Sequence, residues 1–126
     1  MDRIKSKLST VKRRLSNYSL EYMDFSDDEL LYDSEEYEDL SEVMTGQRDR
    51  LEDLSLELAS LVEDSFGYRR DALDSVRIAV NEALSNIEAV ANKANCPWML
   101  DRPEYDTEVT EAIDWINDAL SKLEEL

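Results

Sequence analysis

Apolar residues in this chain recur at alternating intervals of four and three, over most of its length. Ile4, Leu8, Val11, Leu15, Tyr18, Tyr22 and Phe25 follow that rule without a break. A 3.5-residue period places one narrow apolar seam along a helix, and a strand cannot satisfy it. The spacing predicts a first helix over about 2–24. Two glycines and two prolines in 126 residues leave few points at which helix must stop.

Ser26-Asp27-Asp28-Glu29 forms a capping box. The serine oxygen accepts from the third helical N–H, and Glu29 reaches back to the Ser26 N–H. The seam beyond it runs through Leu30, Asp33, Tyr37, Leu40, Met44, Gln47, Leu51, Leu54, Leu58, Leu61 and Ser65. Its phase survives Gly46. A glycine costs only about 1 kcal/mol inside a helix, and a hinge has no reason to preserve phase. One long second helix over 27–66 is therefore expected, with Asp33 and Gln47 as polar intruders that set register or mark an opening to solvent. Gly67 fits a left-handed C-cap.

Leu73, Val76, Val80, Ala83, Ile87, Val90 and Ala94 give a third helix over about 69–95, its alanines allowing close approach of a neighbour. Pro97 and Pro103 are read as excluding regular helix, which makes 95–106 a loop. Its Trp98, Met99 and Leu100 plug a bundle end or, in the sharper reading, anchor a partner. Val109, Ala112, Ile113, Ile116, Ala119, Leu120, Leu123 and Leu126 define a fourth helix over about 107–125. The fold expected is all-α: a single-domain, coiled-coil-like antiparallel four-helix bundle spanning 1–126, with one long second helix.

Chemistry has little to work with here. There is no histidine, the commonest general base and metal ligand. Cys96 is the only cysteine, so an internal disulfide is excluded, and a reducing cytoplasm is the expected setting (a host's, for a viral chain). Neither phosphate-loop motif occurs. Asp24, Asp27, Asp28 and Glu29 lack the spacing and glycine of a calcium loop. No enzymatic activity, cofactor or metal is expected. No apolar run approaches the roughly 20 residues of a membrane span, and the opening residues lack a signal peptide's apolar block.

Charge is the remaining signal. The formal net charge is −17, from 31 acids and 14 bases. The first fifteen residues reverse that sign, with six bases against Asp2 alone. No base then occurs between Arg14 and Arg48, while Glu21 to Thr45 holds 11 acids. Acids on neighbouring turns repel one another, so a basic surface must offset them. That surface is either internal, with Lys5, Lys7, Lys12, Arg13 and Arg14 folded against the second helix, or it belongs to a partner.

The second possibility gives the functional expectation. A rod of carboxylates resembles the potential of a phosphate backbone, and it attracts a basic, nucleic-acid-binding protein. The contact residues expected are Asp28, Glu35, Glu38, Asp39 and Glu42, with Tyr32 as an aromatic contact. Direct binding of nucleic acid by the acidic face, or of a membrane, is not expected. The alternative is a self-associating coiled-coil scaffold, a homodimer through the long heptad. Ser26 and Ser34 precede acids in the manner of acid-directed kinase sites, and Ser26 is already used as a cap.

Overall fold

A computed structural model describes residues 2–17, 37–93 and 102–126, with side chains at 37–41, 93 and 102–103 left aside. Four helices account for nearly all of it: α1 (Asp2–Asn17), α2 (Tyr37–Glu63), α3 (Gly67–Lys93) and α4 (Arg102–Glu124). There is no strand among the described residues. The described residues form an all-α bundle of four helices. Around it, α1 packs on α2, α2 on α3, α3 on α4, and α4 back on α1.

The heptad residues form the interior. Ile4, Leu8, Val11 and Leu15 of α1 are all buried, as are Met44, Leu51, Leu54 and Leu58 of α2. Leu73, Val76, Val80, Ala83, Ile87 and Val90 of α3 meet Val109, Ala112, Ile116, Ala119 and Leu123 of α4 in the same core. Each buried aliphatic side chain stabilises by about 1.5–3 kcal/mol relative to exposure. The seam therefore holds α1 in place far more than its surface ion pairs do, since an exposed pair contributes only about 0–1 kcal/mol.

Polar contacts fix the direction of the last three helices. Ser55 Oγ of α2 donates to Asn81 Oδ1 of α3 at mid-height. Asn86 Nδ2 of α3 donates to Glu108 Oε2 at 2.8 Å and to Glu111 Oε2 at 3.0 Å, near the start of α4. At the other end Tyr68 and Ala72 of α3 border the same groove as Lys122 and Leu126. Thus α3 runs antiparallel to both α2 and α4.

α2 is continuous through Gly46, as its unbroken phase predicts. Over the described residues it is no longer than α3, at 27 residues each. The predicted stretch 27–36 lies outside the described residues, as do 18–24 of the first helix and 94–95 of the third. α2 ends at Glu63, not Phe66. Backbone bonds from Asp64 N to Ser60 O and from Ser65 N to Val62 O, both 3.2 Å, close the turn. Gly67, at φ +59°, takes the left-handed conformation and opens α3 two residues earlier than predicted.

The two glycines predict opposite results. A Cβ at either meets nothing within 4 Å, so only backbone preference decides. Gly46→Ala should stabilise the fold by about 0.5–1 kcal/mol, because alanine is the better helix former. Gly67→Ala should cost about 1–2 kcal/mol, because a Cβ is disfavoured in the left-handed region. Urea denaturation of both variants checks the signs.

The fourth helix needs a correction. It begins at Arg102, five residues before the predicted start, and contains Pro103. Proline is tolerated in a first helical turn, where its missing N–H has no intrahelical acceptor and its fixed φ suits the helix. The extra turn carries Tyr105, fully buried and the bulkiest of the buried side chains. The pair Trp98 and Met99, with Leu100, lies outside the described residues.

Candidate functional site

The helices sort by charge. α1 carries six bases and one acid, α2 two bases and eight acids, α4 two bases and seven acids, and α3 four of each. The ring of contacts puts basic α1 between acidic α2 and acidic α4, with neutral α3 across the bundle. Internal neutralisation is thus part of the fold. Lys7 Nζ lies 3.4 Å from Glu57 Oε2, and Arg3 Nη1 lies 3.7 Å from Glu57 Oε1. Of the cations expected to face acids, Lys7 does so, joined by Arg3. Among the described residues no ion pair reaches Lys5, Lys12, Arg13 or Arg14. Lys12 and Arg13 instead border an open groove with Ser9, Ser16, Asn17 and Leu120 of α4.

Neutralisation stops at one flank of α2. At roughly 100° per residue, Met44, Gln47, Leu51, Leu54 and Leu58 face the core, Glu57 turns toward α1, and a different line points outward. On that line Glu42, Asp49, Glu52, Asp53 and Glu63 are exposed. They extend along about 32 Å of helix at 1.5 Å per residue. Within the described residues Asp49 is the one of these five that makes an ion pair, with Arg48 Nη2 3.2 Å from its Oδ1. Asp53 borders a groove with Lys7 and Arg50, and Glu63 one with Arg70 and Arg77. The carboxylates of α4 are more occupied: Glu108 and Glu111 accept from Asn86, and Asp118 pairs with Lys122 at 2.8 Å.

The expected contact residues divide into three groups. Asp28, Tyr32 and Glu35 lie outside the described residues. Glu38 and Asp39 stand on the first turn of α2, with no side chain described. Glu42 is exposed on the outward line. The line continues through Asp49, Glu52 and Asp53, while Glu57, a turn beyond Asp53, is directed to α1. The exposed Leu56 was missed, though its position off the seam of Leu54 and Leu58 was a readable signal.

Gln47 is the one buried polar residue among those described, 2% exposed, and its Oε1 has no hydrogen-bond partner among them. It sits inside the bundle and not at an opening to solvent. Among the described residues no three carboxylate or sulfur groups converge as metal ligands, and no helix is long and apolar enough to cross a membrane. Comparison with known proteins adds no relative: no family model matches the chain, and neither a curated protein nor a solved structure does.

Proposed function

We propose that this chain is a non-enzymatic interaction protein whose outward α2 surface binds a basic protein and occupies a nucleic-acid site there. The observation that carries this reading is the line of Glu42, Asp49, Glu52, Asp53 and Glu63. It is exposed, and among the described residues only Asp49 of it makes an ion pair, while the pairs that α1 makes with α2, through Arg3 and Lys7, go to Glu57. Repulsion along such a line weakens the isolated helix, and a basic partner relieves it. Long-range attraction between the two surfaces speeds association and falls with salt.

Burial of Met44, Gln47, Leu51, Leu54 and Leu58 within one chain weighs against the scaffold alternative, because the heptad seam is already occupied. The proposal is tested on the partner that immobilised full-length chain recovers from its native cell. That partner is expected to be basic, to bind nucleic acid, and to lose that nucleic acid as the chain is titrated in. A recovered partner that keeps its nucleic acid at saturating chain would overturn the reading.

A further inference from the structure

Two apolar side chains stand exposed at the acidic surface, Leu56 on the outward line of α2 and Phe66 in the turn just past its end. Leu56 is 66% exposed, three residues on from Asp53. Phe66 is 85% exposed in the turn that follows α2, with Glu63 and Asp64 between the two. Neither is required by packing. The core seam of α2 is filled by Leu51, Leu54 and Leu58. The turn is closed by backbone bonds, including Arg70 N to Phe66 O at 3.4 Å, that any side chain would permit. A single exposed leucine is ordinary. A leucine among the carboxylates of α2 and a phenylalanine in the turn that follows it form the mixed composition of a contact surface, in which aromatic anchors carry much of the affinity.

The chain already shows what α2 accepts on its other flank. α1 offers Ile4, Leu8, Val11 and Leu15 as an apolar strip, with Arg3 and Lys7 beside it meeting Glu57. Cations with apolar groups set among them are thus a match for this helix. Past the turn Tyr68 is also exposed, and Arg69 and Arg70 beyond it are exposed and of the wrong sign for such a partner, which limits how far the surface spreads over α3.

We infer that Leu56 and Phe66 are apolar anchors of the α2 surface, and that its partner is a basic protein with apolar side chains placed among its cations. A bare polycation would leave both anchors in water. The inference rests on the proposed binding of a basic surface by α2, and its test separates the two.

The probes are two synthetic helical peptides of equal length and equal lysine number, one built of lysine and leucine, the other of lysine and alanine. Calorimetric titration of each into the full chain gives two affinities. The wild-type chain is expected to prefer the leucine peptide by about tenfold, the equivalent of one decade in Kd. In the double variant Leu56→Gln/Phe66→Ser, which changes only exposed positions and should keep its circular dichroism, the preference should fall to about threefold or less. Affinity for the alanine peptide should not change. Equal affinity of the wild-type chain for both peptides would overturn the anchors and leave the acidic surface standing. A preference undiminished in the double variant would also overturn them. Failure of both peptides to bind would overturn the anchors together with the reading they rest on.

Discussion

Tyr105→Ala is expected to destabilise the bundle by about 3–5 kcal/mol, the range for removing a large aromatic side chain from a packed core. Tyr105 is fully buried at the start of α4, one heptad step before Val109. Its ring is packed into the core near the end of the bundle where α4 begins. For a chain of this size each kcal/mol moves the melting temperature by about 3–5 °C, so a fall of at least about 10 °C should follow in a thermal scan. Tyr105→Phe keeps the ring and should cost less than about 1.5 kcal/mol. An alanine variant melting with the wild type would mean that α4 does not start at Arg102.

The two variants also mark where sequence reasoning stopped short. The seam of α4 reads 105, 109, 112, 116, 119, 123, with the same alternation of four and three as elsewhere. Pro103 masked its first member, because a proline was weighed as a helix breaker and not as a first-turn residue. Continuity of α2 through Gly46 was legible for the opposite reason. Phase is a long-range property that one glycine does not erase.

The interface was less legible than the fold. Repulsion among acids requires a basic neighbour, and the sequence left open whether that neighbour is internal. The structure has an internal one at Glu57, through Arg3 and Lys7, and among the described residues no ion pair along Glu42, Glu52, Asp53 and Glu63. Which flank of α2 meets α1 depends on tertiary packing, and composition carries no trace of it. Gln47 teaches the same point. As a polar residue on an apolar seam it is consistent with a solvent opening or with burial, and only the neighbouring helices decide for burial.

The outward carboxylates, finally, lie on the surface and take little part in stability, so they can be changed without unfolding the chain. Glu42, Asp49 and Asp53 share one line at spacings of seven and four, and all are exposed. Reversing them in Glu42→Lys/Asp49→Lys/Asp53→Lys removes the one surface ion pair that Asp49 makes with Arg48, worth about 0–1 kcal/mol. Lysine is a good helix former, and helicity should be unchanged by circular dichroism. Facing a basic partner, the variant replaces three attractions by three repulsions, and like-charge juxtaposition costs several kcal/mol. The decisive measurement is the Kd of wild-type and triple-variant chains for the partner recovered by capture, at about 0.15 M salt where surface charges act over roughly 8 Å. The account predicts a loss of about 100-fold or more on reversal. Affinities within about threefold of each other, with the fold intact, would contradict it.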